Sequence, residues 1–564
     1  MKNLIKRPAG ILSNFVLILI LIFQSTTVFS SHKKNKVAFE EQPNLINFNR
    51  SGGEGLGGAA WLDYDADGDL DLFLTNGPGA NNGLFRNNGN GTFTDVASSA
   101  GVANGSGSSG VVVGDIDNDG FPDIFVSGEG FVIGPQQSPV KLYHNNGNGT
   151  FSDITDFSGV TGAESALSAA MGDINNDGFV DIFITSPGHI PLITGAGTEK
   201  SHENKLYLNN GNLTFTDISV SAGVDGLYQD PTPGSNRLIT DGACVVGFTD
   251  YDRDDLLDIL VGNCNGFQLV LPNPSPVRPG PFNLFRNNGD LTFTDLASEA
   301  GIDGLGFWMG LAFGDFNKDG HIDFAATNTG TLNSFPHIIM SNNGDGTFTD
   351  IAEENFAKTP FGWGVSSADF NNDGDLDLFK VGSLPLFGAI GPQGSPGQLL
   401  LNKRKQGFIE SPEALPVDLS FDFTTGLAQA DYNGDGFIDM VVIRSPWKIG
   451  GAENLNGKPV LLKNTGNRNR WLTVRPIGTI SNSMGIGARI EVFANGRKSQ
   501  LREVRAGSSF ASSESPWPTF GLGKKRFAFI RVSWPSGLTE WFSAFRLNRT
   551  YNLKEGKGWF KTWR

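Results

Sequence analysis

The chain has 564 residues, 75 of them Gly, with 18% charged residues and a formal net charge of −16. That length allows several hydrophobic cores, and the composition points away from helical bundles toward turn-rich β structure. The acidity argues against nucleic acid as a partner.

The first 30 residues read as an export signal. Lys2, Lys6 and Arg7 form a basic start, Phe15 to Phe23 is a short apolar run, and Val28-Phe29-Ser30 offers a cleavage site before Ser31. The apolar run is shorter than the roughly 20 residues of a spanning helix, which favours cleavage over retention as an anchor. No other segment has the length to cross a bilayer as a helix, and no Cys lies near the cleavage site to carry a lipid.

From Asp63 onward one motif is written seven times. The copies offer Asp63, Asp65, Asp67 and Asp71; Asp115, Asp117, Asp119 and Asp123; Asp173, Asn175, Asp177 and Asp181; Asp250, Asp252, Asp254 and Asp258; Asp315, Asn317, Asp319 and Asp323; Asp369, Asn371, Asp373 and Asp377; and Asp431, Asn433, Asp435 and Asp439. These are positions 1, 3, 5 and 9 of each loop, and six copies carry Gly at position 6. Alternating oxygen ligands around a sharp turn suit a hard cation, Ca²⁺ above all. A helix–loop–helix site would need a Glu at position 12. Position 12 is Leu74, Val126 and Ile184 in the first three copies, each inside a β-like run. The four Asn ligands lower the local charge, and the fourth loop has Asp255 where Gly is expected, so its backbone must accept a strained turn. Of the 59 acidic residues, 24 are Asp at these positions. The chain's acidity is therefore mostly a metal requirement, with up to seven structural Ca²⁺ expected.

The first Asp of successive loops recurs after 52, 58, 77, 65, 54 and 62 residues. Each period reads as one supersecondary unit. An apolar run such as Gly110 to Gly114 enters the loop and Asp123 to Ser127 leaves it. The stretch Lys141-Leu-Tyr-His-Asn-Asn-Gly-Asn-Gly-Thr-Phe151 then makes a tight hairpin through Asn and Gly. Four antiparallel strands per unit, repeated seven times, predict an all-β seven-bladed β-propeller, because ring closure protects the strand edges. The seventh unit lacks its last strand, and Val37 to Phe48 resembles the missing piece.

In such a blade the acidic loops and the Asn-Gly turns share one face. The long, variable connections emerge on the other: Phe131 to Pro139, Pro187 to Asn204, Asp225 to Asp241, Pro272 to Pro281 and Ser383 to Gly397. With Phe131, Tyr228, Phe267 and Phe387 among them, they are the expected recognition surface. Cys244 and Cys264 lie symmetrically about the fourth loop, six residues before Asp250 and six after Asp258. That placement fits a cross-strand disulfide, with two buried thiols as the other reading.

Residues 467–555 read as a smaller β domain, with alternation in Arg489 to Phe493 and Phe527 to Trp534, and 556–564 as a basic aromatic tail extending its last strand, with contact to a membrane or glycan surface as the other reading. The blades resemble FG-GAP/VCBS repeats, which also occur in integrin α chains. Asn469-Arg-Trp-Leu-Thr-Val, Gly485 to Arg489, Arg502 to Arg505, Phe520 to Gly523 and Val532 to Gly537 are similar to the ASPIC/UnbV domain. Together they match the cartilage acidic protein family. The resemblance implies a division into signal (1–30), propeller (31–466), ASPIC/UnbV-like domain (467–555) and tail. It also implies a secreted or cell-surface calcium-binding scaffold whose partner is a protein or glycan. The alternative is an extracellular enzyme acting on polysaccharide or in secondary-metabolite assembly. Against it, the six His have no metal-ligand spacing and no Gly-x-Ser-x-Gly occurs, although carboxylates paired only in space remain open. His144 and His202 flank hairpin strands and read as satisfied surface residues.

Overall fold

The computed structural model describes residues 37–563 except 52–55, 129–137, 164–165, 188–202, 230–237, 241, 265–279, 330–334, 358–360, 385–392, 395–396, 418, 420–421, 450–451 and 495–498. The signal segment, His202, Phe131, Phe267 and Phe387 thus lie outside the described residues, as does most of each long connection.

Six of the repeats fold into four-stranded antiparallel sheets, and the seventh belongs to a six-stranded sheet that also takes in Phe39–Glu41, Ser383–Leu384 and Gln393–Gly394. In the second, Val111–Gly114 enters the acidic loop, Asp123–Val126 leaves it, and Lys141–Asn145 and Phe151–Asp153 flank the Asn-Gly turn. The first two strands are buried on both faces, between neighbouring sheets, so they read as unbroken apolar runs instead of alternating ones. The outermost strand buries Phe151 and exposes Ser152 and Asp153.

The seven first strands form an inner ring. Each packs on the first strand of the next sheet, and Phe423–Ala430 of the seventh packs back on Ala59–Leu62 of the first. The expected closure is present: Phe39–Glu41 pairs antiparallel with Val460–Asn464, Phe39 lying opposite Asn464. The first and last segments of the ring thereby share a sheet, which removes an exposed edge from the seventh blade.

The C-terminal region adds two sheets. Arg470–Ile477 lies between Thr519–Gly523 and, in parallel, Thr550–Lys554. A five-stranded sheet runs in the order Gln500–Glu503, Arg489–Phe493, Ala528–Ser533, Leu538–Ala544, Phe560–Trp563. The tail is thus the edge strand of this sheet.

This domain sits on the acidic-loop face and reaches into the ring. Ala506 bridges Met171, and Ser513 bridges Ala60. The Val111 N–H donates to the Ala511 carbonyl at 3.2 Å. Phe510 is fully buried among Leu56, Leu167, Cys244, Met309, Trp363 and Phe423, contributed by six of the seven repeats, with the Trp363 ring 4.9 Å away. Gly58 permits the approach: a Cβ there would lie 1.7 Å from the Ala511 carbonyl oxygen. Cys244 and Cys264, in the same cluster, are joined by a disulfide with Cα atoms 5.7 Å apart.

Charge follows the same division. Residues 467–564 hold 18 Lys and Arg against 5 Glu and no Asp, a net +13, whereas the preceding residues carry −29. A basic domain is seated on an acidic ring.

One core residue breaks the apolar pattern. Position 12 of the sixth loop is Lys380, fully buried, with its Nζ 3.4 Å from His337 Nε2. Burial lowers its pKa to about 7, with Glu410 opposing the shift. Between that value and the ordinary lysine range the unfolded chain binds the extra proton, so stability rises with pH, by at most ~1.4 kcal/mol per unit. Lys380→Met should flatten the pH dependence of urea unfolding between pH 7 and 10. An unchanged slope would place the titration elsewhere.

Candidate metal centres

The seven loops share one hydrogen-bonded frame. The N–H of position 6 donates to the carboxylate of position 1 in every copy, at 2.7–3.3 Å. The N–H of position 7 donates to the carboxylate of position 5 in every copy, at 2.9–3.0 Å. Position 6 has positive φ throughout, including Asp255 at 71°, where the six glycines lie between 81° and 100°. The expected strain at Asp255 is real.

The frame brings ligand atoms together. In the first loop Asp63, Asp65 and Asp71 offer carboxylate oxygens within 4.8 Å of one another, as do Asp115, Asp117 and Asp123 in the second and Asp250, Asp252 and Asp254 in the fourth. In the loops with Asn at position 3, the amide joins the network. Asn175 and Asn317 donate to Asp177 and Asp319 at 2.9 and 2.8 Å, and Asn371 and Asn433 accept the N–H of Asp373 and Asp435 at 2.8 and 2.9 Å. His144 Nε2 lies 3.0 Å from Asp117 Oδ2 and forms a further cluster with Asp119. It is satisfied, as expected of a residue flanking a hairpin strand, and its partner belongs to the second loop.

Burial works against these carboxylates. Desolvation is the largest effect on the position-1 residues, raising Asp115 and Asp315 to about 6 and Asp173, Asp250, Asp369 and Asp431 to about 7. At position 9 it raises Asp71 to about 8 and Asp323 to about 7, and lifts Asp123, Asp181, Asp258, Asp377 and Asp439 well above the carboxylate range. Asp65 Oδ1, Asp250 Oδ1 and Asp439 Oδ2 are buried with no hydrogen-bond donor. Carboxylate oxygens gathered in a buried loop and left without donors fit a hard divalent cation, which would match their charge and restore their ionisation.

Position 9 also ties the loop to the turn. One oxygen of Asp123 accepts the Ile116 N–H and the other the Asn145 N–H, at 2.8 and 2.7 Å. The Asn145 amide then donates to the Tyr64 carbonyl in the acidic loop of the preceding blade, at 2.8 Å. The same bond recurs around the ring, from Asn209 to Ile116, Asn287 to Ile174, Asn342 to Tyr251, Asn402 to Phe316, Asn464 to Phe370 and Asn87 to Tyr432. The Asn that opens each of these turns is therefore an inter-blade bond as well as a turn former.

The C-terminal domain supplies cations to the same loops. Arg475 lies 3.0 Å from Asp63, and Arg489 pairs with both Asp250 and Asp255. The half-buried Arg502 is within electrostatic reach of Asp369 and Asp315, and Ser483 donates to Asp115. Asp255, the departure from the Gly rule, is thus a docking residue. Arg489 and Arg502 fall in the ASPIC/UnbV-like motifs, but their pairing with the loops, like the roles of Arg475 and the axial Phe510, is not legible in the sequence. The available signal was the basic composition of 467–564.

A ring of seven β-sheets with acidic hairpin loops on one face, capped there by a basic β domain, defines a repeat β-propeller. The FG-GAP-like repeat model matches residues 63–126, 131–184, 250–326 and 336–379, and the ASPIC and UnbV model matches 478–559. The chain thus joins FG-GAP-like repeats to an ASPIC and UnbV module. It is 26% identical over 519 residues to cartilage acidic protein 1 of Homo sapiens, covering 88% of this chain and 70% of that protein. It is 31% identical over 266 residues to the Xenopus tropicalis protein of the same name, covering 46% and 38% respectively. Integrin alpha-8 of Mus musculus is 31% identical over 175 residues, 30% of this chain and 15% of that one.

Two substitutions test the frame. Asn145→Ala should cost about 1–3 kcal/mol, because it leaves buried carbonyls unpaired. Asn146→Ala, at the exposed neighbouring position, should stay within about 0.5 kcal/mol, both read by urea unfolding. Arg489→Ala should cost about 3–5 kcal/mol in chelator, where it leaves Asp250 buried beside Asp254, Asp255 and Glu503. The loss should shrink in calcium, and equal losses in the two buffers would show that Arg489 and the cation do not share that carboxylate.

Proposed function

We propose that the chain is an extracellular scaffold, exported by residues 1–30, whose seven loops hold up to seven structural Ca²⁺ and whose rigid ring presents surfaces to a protein or glycan partner in adhesion. The observation that carries this reading is the sevenfold loop frame, which buries position-1 and position-9 aspartates beside donor-free carboxylate oxygens. Its ligands are the residues at positions 1, 3, 5 and 9 given above. The family relationship to cartilage acidic protein 1 and the partial likeness to an integrin α chain support the extracellular setting. Among the described residues no helix is long and apolar enough to cross a membrane.

The calcium face is covered at its centre by the chain's own C-terminal domain, with Phe510 on the ring axis. That favours binding over axial catalysis and supports the opposite face, with its long connections, as a partner surface. The metal's contribution is structural: it neutralises the loops and fixes the hairpins.

Calorimetric titration of chelator-stripped protein should show multiple Ca²⁺ sites. Thermal unfolding should shift upward, each site adding ~2.7 kcal/mol at a hundredfold excess over Kd. A midpoint indifferent to chelator would overturn the reading. Once a partner is in hand, replacing 225–241 or 383–397 by a short Gly-Ser link should weaken its binding while the Ca²⁺ stoichiometry stays unchanged.

A further inference from the structure

The five-stranded C-terminal sheet has one covered face and one open face. Ile490, Val492, Ile530 and Val532 point into the core. On the other face the register aligns Glu491 with Arg531, Arg531 with Trp541, and Trp541 with Phe560. This row crosses four strands, roughly 14 Å, the scale of a short oligosaccharide. Beside it Phe493 and Trp541 have ring centroids 5.2 Å apart, and the Arg531 guanidinium lies 5.8 and 5.9 Å from them. Phe529 continues the ribbon, edge-on to Phe527 and Phe545 at 5.9 and 6.3 Å. The outermost rings are well exposed, Phe545 at 68% and Phe560 at 53%.

The charge around this ribbon has one sign. All five Glu of the domain are buried or half-buried, and the structure gives each a partner: Glu491 with Arg531, Glu503 with Arg505, Glu514 with Ser366, Glu540 with Trp534, Glu555 with Ser536. Lys524, Arg526, Arg546 and Lys557 are exposed, while Lys561 pairs with Glu540 at 3.7 Å. The free charge of the surface is therefore cationic, and its complement is a polyanion.

We propose that this face is a binding platform for an acidic polysaccharide, with sugar rings stacked on Trp541, Phe560 and Phe493 and carboxylate or sulfate groups meeting Arg531 and the surrounding basic residues. The proposal rests on the scaffold reading above and names a ligand class for a surface which that reading leaves open. A sugar chain fits better than a bilayer because the rings are interleaved with the Glu491–Arg531 pair and Ser543. Lipid would dehydrate these groups, whereas sugar hydroxyls can hydrogen-bond them.

The test uses the full calcium-loaded chain with polygalacturonate, dextran sulfate, neutral dextran and vesicles rich in phosphatidylglycerol. Polygalacturonate and dextran sulfate should bind at least tenfold more tightly than dextran, with affinity falling as salt rises. Trp541→Ala combined with Phe560→Ala should weaken both at least tenfold at unchanged net charge. Phe560→Ser alone, on an exposed edge strand, should act in the same direction and covers the case in which the double variant does not fold. Arg526→Glu should reduce affinity and flatten the salt dependence. Wild-type affinity in the aromatic variants would reduce the effect to unspecific charge and overturn the platform. So would tighter binding to vesicles than to either polyanion, or a dimer that Trp541→Ala dissociates with no polysaccharide bound. Calcium stoichiometry measured on the same samples reports the scaffold separately: normal calcium loading without polysaccharide binding sinks this proposal alone.

Discussion

Thirteen aspartates at positions 1 and 9 of the loops are buried on one face of a closed ring. That is the constraint to which the rest of the molecule responds. An isolated buried carboxylate is costly, and several together repel. The fold meets this in layers. Backbone N–H groups of positions 6 and 7 satisfy part of each loop. A cation is the proposed second layer. The third is the C-terminal domain, whose Arg475, Arg489 and Arg502 approach loops one, four, five and six.

The same aspartates also build the ring. Because position 9 holds the Asn backbone N–H, and that Asn holds the preceding blade's loop, loop geometry and blade spacing are one network. Disorder in one loop would loosen the hydrogen bond to its neighbour. A metal bound in a loop would therefore stabilise more than its own hairpin, and sevenfold repetition spreads that support evenly around the ring. The terminal strand Phe39–Glu41 completes the seventh sheet, beside the Asn464 that carries the bond to Phe370.

The propeller was legible because its signals are local and repeated. Loop spacing, Gly at position 6 and the Asn-Gly turn each dictate a backbone conformation within a few residues, and seven copies exclude accident. Even the strained Asp255 could be read from a single substitution. What stayed hidden was long-range. Nothing within Ala506–Ser515 says that it enters a ring whose first strand lies more than 400 residues upstream in sequence. The Asn-Gly turn read as a hairpin signal, while its bond to the preceding blade needed three dimensions. The basic character of 467–564 was visible as a count, but only the docked structure shows which arginines meet which aspartates.

The departures from the repeat are therefore the informative positions. Asp255 replaces Gly and meets Arg489. Asp375, at position 7 of the sixth loop, is buried, accepts from Arg404, and lies 2.8 Å from Lys318 of the fifth loop. Arg404 itself stands in the sixth blade's turn, with φ of 53°, where the other six blades have Gly. These irregular residues cluster in blades four to six. There Gln500 and Arg502 of the C-terminal domain approach the ring, Gln500 lying within van der Waals distance of where a Cβ on Gly374 would be. A symmetric ring offers seven equivalent seats to a domain that can occupy only one orientation. Breaking the repeat at a few charged positions removes that degeneracy, so the domain docks in a single register and presents its aromatic sheet face in a fixed direction.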